Sequence, residues 1–181
     1  MLLKAIGEDI KTIQFGWPLG MPLVEKIQPY LWEVRTKILD GISRVFFTVD
    51  GHTMILLHGF IKKSRKIPLK EINTARSRLR QYQEAASWKN NKHIGSTFDD
   101  FLQAEGLLAE AEATAVKRVI AYQIEKEMAE RQISKSALAR MMQTSRSSLD
   151  RLLDPENKSV TLLTLESVAL ALGKKLKVQL G

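Results

Sequence analysis

The segment 134–153, SKSALARMMQTSRSSLDRLL, limits what this chain can fold into more than any other stretch. Leu138, Ala139, Met142, Leu149 and Leu152 turn toward one shared core if the segment bends sharply into two short helices. Ala139 is the small residue needed where the two helices cross, and Arg140, Arg146, Ser147, Ser148 and Arg151 are left facing solvent. Gln143 stands where such a turn usually carries glycine, so a left-handed backbone there costs roughly 1 kcal/mol or more. Helix pairs of this design push the second helix into a DNA groove. The N-terminus of that helix, with Ser145 as its cap, offers unpaired N–H groups to phosphate, and Arg146 carries the fork that suits guanine O6 and N7. Asp150, four residues on, is placed either to hold the Arg146 guanidinium or to form a solvent-facing ion pair.

The 181 residues are enough for two small domains. The chain has no cysteine, which removes disulfides, thiolate catalysis and the usual zinc sites. His52, His58 and His93 are scattered and form no metal constellation, so neither metal nor cofactor is expected. No apolar run reaches the roughly eighteen residues of a membrane span, and the N-terminus lacks a signal layout, so the expectation is a cytoplasmic protein with no membrane partner. The net charge of +8 lies mostly in the first half. Its densest part is the strip 62–80, where eight cations stand against the single acid Glu71, the pattern that attracts a polyanion or simply covers a solvated helix face.

Leu3, Ile6, Ile10 and Ile13 mark an opening helix that ends near Gly16, before a Gly- and Pro-rich loop. Strand-like runs follow at 31–38, 44–49 and 53–61, separated by Asp40-Gly41 and Asp50-Gly51, and so predict an antiparallel meander. Pro68 precedes a helix over 69–82 that lays Ile72, Ala75, Leu79 and Tyr82 on the sheet. Periodicity is lost over 85–97, which reads as a linker between a domain at 1–84 and one at 98–181. Thr97 caps a short helix broken near Gly106. A long helix over 110–131 buries Val116, Val119, Ile120, Ile124 and Met128, and Thr161 caps a last helix that Gly173 stops. Leu176, Val178 and Leu180 alternate as a terminal strand, which needs a second copy or the other domain's sheet as a partner. The predicted class is α+β: a β-meander with flanking helices, then an all-helical domain with a short final strand.

NKHIGSTFDDFL, SKSALARMMQTSRSSLDRLLDPENKSVTLLTLESVALALG and KKLKVQL together resemble the XRE-type helix-turn-helix antitoxins of the HigA kind. The resemblance implies a homodimer that represses its own operon from a palindromic operator. It implies that Arg146, Ser147 and Ser148 reach base edges, while Arg151 and Arg140 contact or flank phosphate. GWPLGMPLVEKI, LWEVRTKILDGISRVFFTV and LLHGFIKKSRKIPLKEINTARSRL resemble the phage-derived HigB/RelE-type toxins, which cut mRNA on the ribosome without a metal. Toxin followed by antitoxin in one chain reads as a fusion of the two partners.

A metal-free ribonuclease activates the 2′-hydroxyl and offsets phosphorane charge, which packed Lys and Arg can do when neighbours depress a lysine. The resemblance makes Arg44 the phosphate-binding arginine. Arg35 lies on the adjoining strand, and Lys62, Lys63 and Lys66 leave the third run. His58 reads as a packed strand histidine or as a general base. The toxin family carries a further strand and helix ahead of the position of Leu2, so an open sheet edge and a weak or inactive nuclease are expected. The acidic stretch Asp99, Asp100, Glu105, Glu110 and Glu112 is expected to dock on the 62–80 strip and cover these candidates. Three functions follow: a DNA-binding autorepressor with a neutralised or degenerate nuclease module, an mRNA endoribonuclease restrained in cis, or a dimeric DNA-binding protein whose basic half adds only non-specific affinity.

Overall fold

The computed structural model describes residues 2–20, 23–39, 41–62, 67–84, 95–155, 157 and 159–178. Among the calls above, Asp40, Lys63, Lys66, His93, Leu180 and most of the 85–97 linker lie outside them. The chain divides into two compact units, 1–112 and 113–181.

The first unit is a four-stranded antiparallel sheet with helices on both faces. Helix α1 (Leu2–Gly16) is followed by β1 (Val24–Gln28), β2 (Leu31–Ile38), β3 (Gly41–Asp50) and β4 (Thr53–Lys62), paired in sequence order, and then by α2 (Leu69–Glu84). Strand β1 is an addition to the meander expected from sequence. It is short, flanked by Pro22 and Pro29, and lies at a sheet edge, where proline costs least. Ile13 of α1 packs on Val34 and Phe47 on one face, and Ala75 and Leu79 of α2 pack on Leu31, Phe46 and Leu57 on the other.

The two faces are kept distinct by a bulge in β4. Phe46 pairs with His58 and Phe47 with Leu56, which leaves Leu57 as an extra residue. Before the bulge, Met54 and Leu56 face the α1 side with Phe47; after it, His58, Phe60 and Lys62 share the α2 side with Phe46 and Arg44.

Helix α3 (Phe98–Ala104), capped by Thr97 as predicted, and the first turn of α4 (Leu108–Glu130) belong to the first unit. Leu102 is fully buried; a Cβ on Gly7 of α1 would come within 2.9 Å of its Cδ2, so helix and glycine are in close contact. Three of the acids of this region pair with α1. Lys11 of α1, with a side chain only 4% exposed, takes Asp99 at 2.9 Å and Glu112 at 3.1 Å, and Lys4 takes Glu110 at 3.0 Å. A lysine buried to that extent needs carboxylate partners, and the acids that supply them lie on the α1 side of the sheet.

The second unit is helical. The rest of α4, then α5 (Lys135–Met141), α6 (Arg146–Leu153) and α7 (Leu162–Ala171) enclose a core of Ile124, Met128, Leu138, Ala139, Leu149, Leu152, Val168 and Leu172. Val116, placed in the buried stripe from sequence, is 48% exposed. Gly173 takes φ 62 and ends α7. Lys174 to Val178 of the expected terminal strand is not extended into a sheet; among the described residues no strand lies beside it, and a lone strand has no stability of its own. No helix among the described residues is long and apolar enough to cross a membrane.

Candidate nucleic-acid interface

The α5–α6 pair begins with caps that can be read in the sequence. Ser134 Oγ accepts from the Ala137 N–H and Ser145 Oγ from the Ser148 N–H. Between the helices Gln143 takes φ 52, the left-handed conformation that glycine would adopt freely. The turn closes because Gln143 N–H donates to the Arg140 carbonyl and Thr144 N–H to that of Ala139. Leu138, Ala139, Leu149 and Leu152 are buried beneath it.

Arg146, on the first turn of α6, keeps 66% of its side chain exposed. Its Nε lies 3.8 Å from Asp150, and Lys135 is closer to the same carboxylate at 3.3 Å, so Asp150 is shared between two cations. Ser147, Arg151 and Arg140 are exposed. Ser148 is half-buried and engaged on both sides: its hydroxyl lies 2.9 Å from Ser145 Oγ and accepts from Arg151 Nη2 at 3.2 Å. Ser145 Oγ is also 2.9 Å from Ser147 Oγ. Beside these residues a small open cavity of mixed lining is bounded by Met142, Leu152 and Val160 as well as by Thr144, Ser148 and Arg151.

In the first unit the register brings Arg35 directly opposite Arg44, and Arg44 opposite Phe60. Like charges facing each other across strands repel, and the sheet accommodates them with an acid that sequence reasoning did not single out. Glu33, fully buried, accepts from Arg44 Nη1 and Arg35 Nε through the same oxygen, and Glu25 takes the outer end of Arg35. Arg44 is itself only 5% exposed. Desolvation, followed by the charge of Arg44, holds the Arg35 guanidinium below its ordinary value. Lys62, at the end of β4, is lowered by desolvation first and then by Arg44 and Arg35, with Glu33 opposing.

His58 is neither isolated nor fully packed. Its Nε2 lies 2.6 Å from Glu71 of α2, and its ring stacks on Phe60 with centroids 6.0 Å apart. Two arginines of the basic strip are turned toward the sheet: Arg78 donates to the Leu57 carbonyl at 2.7 Å, and Arg76 to Gln28 at 2.8 Å. The acids of α3 and α4 that grip Lys4 and Lys11 lie across the sheet from this cationic cluster. Glu33 and Glu25 could have been suspected only from the strand register, which sets them opposite each other and brings Glu33 to Arg44, eleven residues away. Among the described residues no group of three or more His, Asp or Glu side chains is gathered that could hold a metal.

Residues 2–80 match the family model described as phage-derived protein Gp49-like, and residues 123–177 match that of the Cro/C1-type helix-turn-helix DNA-binding domain. No curated protein and no solved structure matches the chain. The second unit is thus a DNA-binding module of the Cro/C1 class. The chain carries it behind a Gp49-like toxin-type domain, in the order of a toxin–antitoxin pair joined in one polypeptide.

Proposed function

We propose that this chain is a toxin–antitoxin-type transcriptional regulator of the cytoplasm that represses its own operon as a homodimer and carries a neutralised or degenerate mRNA-cleaving module. The observation that carries the reading is Arg146, held two-thirds exposed at the start of a helix that a capped, tightly closed turn raises from the core. In this reading Arg146 and Ser147 reach base edges. Ser148 and the Ser145 cap shape the helix end, and Arg151 and Arg140 meet phosphate. Leu162, Leu163 and Leu170 of α7, each more than half exposed, support self-association, since an apolar helix face in water gains by being covered. The test is operator binding by Arg146→Ala against wild type. A loss of about 1–3 kcal/mol on the operator, with random DNA little affected, is the expected result. An equal loss on both would reduce Arg146 to a non-specific cation and remove the reading.

One observation favours a second reading, a ribosome-dependent mRNA endoribonuclease restrained in cis: the register gathers Arg35, Arg44 and Lys62 on one face of the sheet, where desolvation and the charge of Arg44 lower Lys62. Lys63 and Lys66 complete that candidate set by their place in sequence. Ribosome-dependent cleavage by the full chain that disappears in Lys62→Ala would favour it. Absence of cleavage favours the first reading.

A further inference from the structure

The cationic face of the sheet contains a contradiction. Two arginines are placed opposite each other across β2 and β3, with a lysine at the next pair of the same face, an arrangement suited to an anion. Yet the most buried ionised group among them is a carboxylate, Glu33. A purely structural buried ion pair pays its desolvation by satisfying every lone pair and proton. This one does not: Glu33 uses a single oxygen for both guanidiniums, and its second oxygen and the Arg44 Nε, both buried, have no hydrogen-bond partner among the described residues.

We propose that Glu33 is a built-in counter-ion that holds Arg35 and Arg44 side by side and limits how tightly they grip an RNA phosphate. This rests on the second reading above, that the face binds RNA, and adds to it a residue that sets affinity. The physical basis is Coulombic. A carboxylate that shares two guanidiniums with an incoming phosphodiester opposes that phosphodiester at short range, in a site partly shielded from water. Its charge also offsets the mutual repulsion of Arg35, Arg44 and Lys62, so the same group that permits the cluster to fold weakens it as an anion trap. Such a residue moves a cationic face away from permanent occupancy and toward exchange. Glu25, the cross-strand partner of Glu33, does the same from the sheet edge at 41% exposure, with a smaller effect through solvent.

The experiment is fluorescence anisotropy of a short labelled single-stranded RNA on the full chain at low salt, comparing wild type with Glu33→Gln, which keeps the shape and one acceptor but removes the charge. Binding tighter on the order of tenfold is expected, and most of the gain should vanish in Glu33→Gln/Arg35→Ala. A Glu33→Gln protein with unchanged circular dichroism that binds no tighter overturns the proposal, as does a gain indifferent to Arg35. If Glu33→Gln does not fold, Glu25→Gln carries the test, with a gain of about two- to threefold expected and none overturning it. Wild type and variants that all fail to bind RNA remove the RNA reading of the face together with this inference, whereas wild-type binding without a gain removes the role of Glu33 alone.

Discussion

The two units treat charge in opposite ways. In the helix-turn-helix unit the core is a continuous apolar cluster, and Arg146, Arg151 and Arg140 stand outside it on the exposed faces of their helices. In the Gp49-like unit Glu33, Arg44 and Lys11 are buried nearly completely, so the residues that could do chemistry also hold the sheet and its helices together. A surface site can be changed without cost to its scaffold; a site made from the interior cannot. The first arrangement separates function from stability, and the second ties them.

The largest test of that contrast is Arg44→Ala. It leaves Glu33 buried with half its partners gone and should destabilise the first unit by about 3–5 kcal/mol. Trp17, Trp32 and Trp88 all precede residue 112, so denaturant unfolding followed by tryptophan emission reads this unit. A variant as stable as wild type would end the claim that charge and stability are tied there. Arg146→Ala, the matching change in the second unit, should leave thermal stability within about 0.5 kcal/mol while it weakens operator binding.

A smaller effect is expected from Gln143→Gly, which relieves a left-handed residue and should stabilise the helix-turn-helix by up to about 1 kcal/mol, read by calorimetry. A loss of stability instead would mean that the Gln143 side chain contributes more than its backbone costs. The smallest effect concerns Tyr82, whose hydroxyl donates to Asp50 at 2.7 Å and is pushed up to about 12 by desolvation, with that hydrogen bond and the Asp50 charge adding to it. The folded state therefore keeps a proton that the unfolded chain sheds near 10, and stability falls as pH rises from there toward about 12. Ultraviolet titration should show a late-ionising tyrosine, and Tyr82→Phe should abolish that step together with its share of the alkaline loss.

What could be read from sequence follows the same division. Thr97, Ser145 and Thr161 act on N–H groups three residues away, and helix faces repeat within a few residues, so these caps and the exposure of Arg146 were all legible. The partners of Lys11 lie near residues 99 and 112, and Arg44 meets Glu33 only once β2 and β3 are in register. Such pairings are fixed by tertiary packing and leave no local signature. The acidic stretch of 99–112 was visible as a docking element, but opposite charge could not say which of two basic surfaces it meets. Strand β1 was hidden by its prolines and its shortness.

The extra residue at Leu57 makes the cationic face vulnerable in an unusual way. Deleting Leu57 would leave Leu56 opposite Phe47 and His58 opposite Phe46, so the ladder would run on regularly with His58, Phe60 and Lys62 still beside Arg44. A ladder that kept Leu57 but closed the bulge would instead slip by one position and carry all three to the α1 side, and the face would be lost without the loss of a single charge.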